Sequence, residues 1–299
     1  MKNMKHIMTA AKEKGMVIPA FNIPYLPMME PTVQALVETA TFGLIEVARL
    51  EWTKFEAKSL EAVYAEYQKQ KDERYTRLHL DHIPVIDEDG LAVDYGEIIS
   101  RAIDVGYDSV MVDGSRLSLE ENIKSTKRVA EIAHNTDIAV EGELGAVLGH
   151  EEGPLPPYEE LFASGKGFTD PEEARRFVEE TGVDWLSVAI GNIHGAISPA
   201  ARKEKKIAAK LNIEHLAKIN HTVGIPLVLH GGSGIPNTYI QQGIKNGISK
   251  INIGTVIRKP YEELKEISIS KAQEAVYNTM IELIDELEIK GSADIINPN

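Results

Sequence analysis

Three histidines stand at the ends of separate apolar runs, in LHLDH (Leu78 to His82), AIGNIHG (Ala189 to Gly195) and LVLHGGSG (Leu227 to Gly234). Each has carboxylate, amide or glycine neighbours suited to chemistry. The chain has no cysteine, so any zinc site must be built from imidazole and carboxylate. Three nitrogen ligands with one position left open is the pattern of a catalytic rather than a structural zinc. An enzyme is therefore the leading reading.

The elements that would hold these histidines follow from apolar patterning. Eight short runs, mostly apolar and β-branched, recur: MVIPAFN, GLIEVA, TRLHLDH, SVMVDGS, DIAVEGELG, WLSVAIG, PLVLHGG and KINIGT. Between them lie segments with helical spacing, such as MEPTVQALVETA, YGEIISRAIDVG, LEENIKSTKRVAEIAHN and DPEEARRFVEETG, several closed by glycine. The alternation suits either a doubly wound open sheet or a (β/α)8 barrel. Motif placement favours the barrel, because DH, DGS, EGELG, NIHG, HGGSG and NIGT all fall where a strand ends, and barrel strand ends converge on one face. At 299 residues a single TIM-barrel domain over 1–299 is the simpler organisation, since such barrels run to about 250 residues before insertions. Residues 149–170 read as a long lid loop, and 259–288 as a C-terminal helical extension that packs a subunit contact or caps the barrel.

Composition narrows the partners. A formal charge of −14 argues against a broad nucleic-acid surface, which needs a basic footprint. No run approaches the roughly 20 apolar residues of a membrane span, and the first residues lack a secretory signature. Together with the missing cysteines, this makes the cytoplasm the expected compartment.

Taken in order, these motifs resemble the class II, metal-dependent ketose-bisphosphate aldolases, the family of fructose- and tagatose-bisphosphate aldolases. The likeness runs from AFN at Ala20 to INIGT ending at Thr255, and takes in VDGSRLSLEENI and FTDPEEARRFVEETGVDWLSVAIGNIHG. It implies a (β/α)8 barrel and a divalent metal, Zn2+ or another transition ion, at His82, His194 and His230, with Glu143 an accessory carboxylate. It implies proton transfer by Asp81 and, on the lid, by Glu151. Gly195, Gly231, Ser233, Asn252 and Thr255 would cradle a phosphate, often with a monovalent cation (Na+ or K+) beside it. Asp113, Glu141 and His79 would support the site from behind. The substrate would be a phosphorylated sugar, cleaved reversibly to dihydroxyacetone phosphate and an aldehyde through a metal-stabilised enediolate, and the assembly a homodimer or homotetramer.

The chain departs from the family pattern where the other half of the substrate would lie. Tyr25 replaces the second asparagine of AFNxxN, Ile83 the glycine after LHLDH, and Gly254 the aspartate of NIDT. Arg49 stands where a serine is usual after strand two. An arginine fork there can clamp phosphate, sulfonate or carboxylate, or be neutralised by Glu46 or Glu51. This keeps two other readings open: an epimerase or aldolase acting on a sugar acid, and a non-catalytic partner subunit. A Schiff-base mechanism is discounted because Lys250 is read as opening strand eight at its far end.

Overall fold

The computed structural model describes residues 3–145, 158–192, 209–232 and 234–298. In chain order it contains α1 (Met4–Glu13), β1 (Ile18–Asn22), α2 (Met29–Glu38), β2 (Gly43–Ala48), α3 (Arg49–Thr53), α4 (Leu60–Gln70), β3 (Thr76–Pro84), α5 (Tyr95–Val105) and β4 (Ser109–Asp113). There follow α6 (Leu119–His134), β5 (Ala139–Leu144), α7 (Tyr158–Ser164), α8 (Pro171–Thr181), β6 (Trp185–Val188), α9 (Ile213–Val223), β7 (Leu227–Leu229), α10 (Asn237–Lys245) and β8 (Ile248–Ile253). Three helices, α11 (Thr255–Leu264), α12 (Ile269–Glu286) and α13 (Ser292–Ile296), complete the described chain.

The eight strands are parallel and close in sequence order, β8 returning to β1 through Ile18↔Lys250 and Phe21↔Ile253. This is the (β/α)8 barrel that the strand-end motifs predict. Local signals set the helices. Ser118 caps α6 reciprocally with Glu121, Asp170 followed by Pro171 starts α8, and left-handed Gly106, Gly182 and Gly224 stop α5, α8 and α9.

Two apolar layers hold the barrel. The larger lies between strands and outer helices, including Leu36, Ile99, Phe177, Leu216 and Met280. The smaller plugs the end where the strands begin: Ile7 and Met8 of α1 and Ile296 of α13 pack with Ile18, Leu44, Ala139 and Val228.

The 259–288 segment is helical: it takes in most of α11, which starts at Thr255, and after a turn α12, whose Ala272, Val276, Met280 and Ile284 are buried. Of 149–170, the part from 158 onward is described and contains α7, while 149–157 lies outside the described residues. Lys250 is the third residue of β8, fully buried, because the strand begins at Ile248 through a turn at Gly247 (φ +109°).

Candidate active site and metal centre

β3 presents His79, Asp81 and His82 toward the site. Alternation turns His79 and Asp81 to the same side of the strand. His82 then takes φ +37°, where the β3–β4 register shifts between Leu80 and Ile83. A left-handed non-glycine residue at a bulge is strain concentrated where a side chain is re-aimed. The bulge brings His82 Nδ1 to 3.3 Å from Asp113 Oδ2 and 3.7 Å from Glu143 Oε2. His230 follows β7 by one residue, and Gly231 at φ +66° turns the chain directly after it. The His230 ring lies 4.4 Å from that of His82, centroid to centroid, and its Nδ1 is 3.4 Å from Glu143 Oε2.

Asp81 is gripped from both sides. Asn22 Nδ2 donates to Oδ2 at 3.1 Å and Asn252 Nδ2 to Oδ1 at 3.0 Å. Burial would raise its pKa, but the positive charges of His82, Lys250 and His230 bring it down to about 2. The imidazoles move oppositely. Burial disfavours their charge, yet Asp81 beside His82 and the Glu141 and Glu143 carboxylates beside His230 push them up to about 9 and about 10.

Potential ligand atoms of Asp81, His82 and His230 lie within 4.8 Å of one another, as do those of His82, Asp113 and Glu143. Glu143 Oε2 is buried with no hydrogen-bond donor among the described residues. Two imidazoles and an acceptor-only carboxylate converging on one point suit a divalent transition metal. His194, Gly195, Ser233 and Glu151 lie outside the described residues. Asn192, two positions before His194, donates to the His230 carbonyl at 2.9 Å and so ties the end of the β6 segment to the site.

The two glutamates of β5 take different places. Glu143 faces His82 and His230, whereas Glu141 sits one layer deeper among Lys250, Trp185, His79 and His230. Asp113 accepts from the Ser115 backbone N–H and hydroxyl while facing His82. Thr255 opens α11 directly after Gly254, and the Asn252 amide is committed to Asp81. Arg49 opens α3, one position past Ala48, which is in register with Asp81. Its partner is neither Glu46 nor Glu51: Nη1 lies 3.5 Å from Asp87 Oδ2. Glu46 pairs with Lys250, and Glu51 is used locally, accepting from the Ala48 N–H at 2.8 Å. Tyr25 leaves the site for an aromatic cluster, stacking on Tyr261 and donating to Glu262.

Sequence reasoning passed over Asn22 and Arg258, weighed Glu51 only as a partner for Arg49, and set Lys250 at the far end of strand eight. Asn22 sits in the quoted AFN motif, but nothing local in that phrase reveals its bond to Asp81. Arg258, in the first turns of α11, is held over the Phe55 ring at 5.0 Å and bonded to Glu262.

Glu51 yields a pH test. Burial, with Asp81 adding to it against the Ala48 N–H, pushes this carboxyl up to about 8 from an ordinary 4.5. The folded state therefore binds its proton more tightly than the unfolded state. That advantage is complete below about 4.5 and is lost as pH rises toward 8. Glu51→Gln removes the penalty and keeps an acceptor for Ala48. In EDTA its Tm should exceed that of the parent by roughly 2–4 °C at pH 8, equivalent to about 1 kcal/mol, and the gap should close at pH 4.5. An equal offset at both pH values refutes the assignment.

A closed parallel barrel with carboxylates and imidazoles clustered at its strand ends, where barrel active sites are built, has the architecture of a barrel enzyme, and these groups could hold a metal ion. Residues 2–291 match the family model described as Fructose-bisphosphate aldolase class-II, and the chain belongs to that family: it is a class II aldolase, a carbon–carbon lyase. The family is generally metal-dependent and acts on phosphorylated sugars. Among solved structures, the YdjI aldolase from Escherichia coli K12 is 28% identical, with a TM-score of 0.74 over 98% of this chain and 99% of that one. A putative fructose-1,6-bisphosphate aldolase from Coccidioides immitis is 25% identical, TM-score 0.76, over 96% of each chain. The Campylobacter jejuni fructose-bisphosphate aldolase, at 19% identity and TM-score 0.73 over 95% and 94%, shares the fold. Among the described residues no helix is long and apolar enough to cross a membrane.

Proposed function

We propose that this chain catalyses the reversible, Zn2+-dependent aldol cleavage of a phosphorylated ketose, fructose or tagatose 1,6-bisphosphate or a relative, to dihydroxyacetone phosphate and an aldehyde. The observation that carries the reading is Asp81, an ionised carboxylate fixed by two asparagines and set against His82 and His230. His82, His230 and, by its place in the motif, His194 would hold the metal with Glu143 beside it, and when bound the metal would polarise the ketose carbonyl and stabilise the charge left next to it.

The side chains do the rest. Cleavage requires loss of the proton from the hydroxyl on the carbon that becomes the aldehyde, as the adjacent carbon–carbon bond breaks. Asp81 takes that proton and returns it in condensation. Asn22 and Asn252 hold both oxygens, so the carboxylate is oriented before substrate arrives. Asp113 fixes His82 from behind. Gly195, Gly231, Ser233, Asn252 and Thr255 are assigned by motif to the phosphate site that barrels ordinarily build where the last two strands end, and Glu151, also by motif, to returning a proton to the enediolate that cleavage leaves.

Arg49 is read as the clamp on the distal half of the substrate. Among the described residues its ion pair is to Asp87, at 3.5 Å with about a quarter of the side chain exposed, and a planar guanidinium carries further N–H donors for phosphate or carboxylate. This keeps a sugar acid as the second reading.

The test couples dihydroxyacetone phosphate release from a panel of ketose phosphates to NADH oxidation, with and without EDTA. Chelator-sensitive release from at least one ketose is the expected result, and no release with metal demonstrably bound refutes the assignment. In condensation, Arg49→Gln should raise KM at least about tenfold for aldehydes with a terminal anion and leave glycolaldehyde unchanged. Equal effects on both acceptors would remove Arg49 from the substrate.

A further inference from the structure

Beneath the metal-binding end, the barrel interior is ionic where branched aliphatic side chains are usual. Glu46, His79, Glu141, Trp185 and Lys250 are all fully buried. Lys250 Nζ lies 2.9 Å from Glu141 Oε2 and 3.3 Å from Glu46 Oε2. Trp185 Nε1 donates to the same Glu141 oxygen at 2.7 Å, and His79 Nε2 is 3.4 Å away, its Nδ1 paired with the Ser109 hydroxyl. The other oxygen of Glu141 is 2.8 Å from His230 Nε2.

We propose that Glu141, held in place by Lys250 and Trp185, is the positioning residue that turns His230 so that Nδ1, and not Nε2, faces the metal cavity. The argument rests on the metal-dependent reading above and on donor and acceptor capacity. Glu141 Oε1 sits 2.8 Å from Nε2, so that nitrogen is engaged by the carboxylate. When the ring gives up a proton to receive a metal, its lone pair is left on Nδ1, the atom 3.4 Å from Glu143 Oε2.

A buried ion pair adds little net stability over packed apolar side chains, because desolvation offsets the Coulomb attraction. Stability therefore does not explain Lys250 and Glu141 in this layer. What the pair supplies is an acceptor of fixed position under a ligand. Two further bonds limit any other adjustment: Asn192 Nδ2 holds the His230 carbonyl, and Trp185 pins the far oxygen of Glu141. Carboxylates bonded to a ligating imidazole in this way fix its tautomer and raise its basicity, and their loss typically weakens metal binding about 10–100-fold.

The experiment measures the Zn2+ dissociation constant by competition with a chromophoric chelator, together with the Tm of the metal-free protein, for the parent, Glu141→Gln, Glu141→Leu and Leu216→Ala. The last is a control, a buried position of α9 in the outer layer that lowers stability without touching the site. Glu141→Gln should bind Zn2+ about tenfold more weakly and Glu141→Leu about 100-fold more weakly, while Leu216→Ala loses Tm and keeps the parental constant. If Glu141→Leu does not fold, the isosteric Glu141→Gln carries the test. Parental affinity in the Glu141 variants, or a loss in Leu216→Ala that scales with Tm in the same way, overturns the proposal. A parent protein that binds no divalent metal overturns the metal-dependent reading itself, a separate and visible failure.

Discussion

Asp81→Asn will lower kcat for ketose cleavage by about 10²–10⁴-fold, the usual contribution of a positioned proton carrier, and will leave Zn2+ content and the barrel intact. The substitution is nearly isosteric, so the change lies in what the group can do. Asparagine cannot take the hydroxyl proton. It also brings an NH2 group to face either the Asn22 or the Asn252 amide, each of which donates to an Asp81 oxygen, so one hydrogen bond is lost and the local cost is of order 1 kcal/mol. Steady-state kinetics on the best ketose, with bound metal assayed on the same sample, checks this. Undiminished turnover with full metal occupancy would assign proton transfer to another group, and loss of metal in proportion to activity would make Asp81 a ligand.

The second large effect concerns stability. Lys250→Met will destabilise the protein by about 3–5 kcal/mol, because removing one member of a buried charge group strands the others. Here the stranded charge is Glu141, while Glu46, whose carboxyl burial and Asp81 push well above the ordinary range, loses the cation that opposes that shift; both are fully buried. Lys250 is held charged: burial would favour its neutral form, but Glu141, Glu46 and Asp81 push its pKa well up. This also removes it as a Schiff-base nucleophile, which needs a neutral amine at working pH. Adding Glu46→Leu to Lys250→Met should recover a substantial part of the loss, since Glu141 still accepts from Trp185 and His230. Chemical denaturation of the single and double variants reads the coupling directly. A single variant within about 0.5 kcal/mol of the parent, the range of ordinary surface substitutions, would show that the charges are hydrated in solution.

The fold was legible because barrel patterning is local. The eight strand runs carry their apolar pattern in consecutive residues, helices α5, α6, α8 and α9 their capping side chains, and α5, α8 and α9 a glycine stop, and the order of these elements defines closure. Of the site, His82 and His230 could be nominated because each closes an apolar run, and Asp81 and Glu143 because LHLDH and VEGELG carry the family resemblance. The bonds between them could not. Asn22 and Asn252 meet on Asp81 from β1 and β8, and Glu141 reaches His230 from two strands away; such distances are set by barrel closure and leave no trace in spacing. The misplacement of Lys250 has a physical source as well. Ile248 and Ser249 follow the turn at Gly247 without a break in pattern, so the first ladder residues were assigned to the loop and a barrel-interior lysine was read as lying at the rim. Arg49 illustrates a different limit. Its neighbours in sequence, Glu46 and Glu51, are claimed by a lysine 200 positions on and by the α3 N-terminus, and the acid that meets it comes from the segment after β3.

The seam between β1 and β8 bears on how the molecule is made. Ile18 to Phe21 zip against Lys250 to Ile253, and α1 packs on α13. During synthesis β1 stays half-paired until β8, Ile248–Ile253, has left the ribosome. Long-range pairing of this kind is slow, and the unpaired edge is exposed to association in the interval. Early-emerging β1 is therefore the segment whose interactions a chaperone would have to guard, and late truncations should yield aggregated rather than partly active protein.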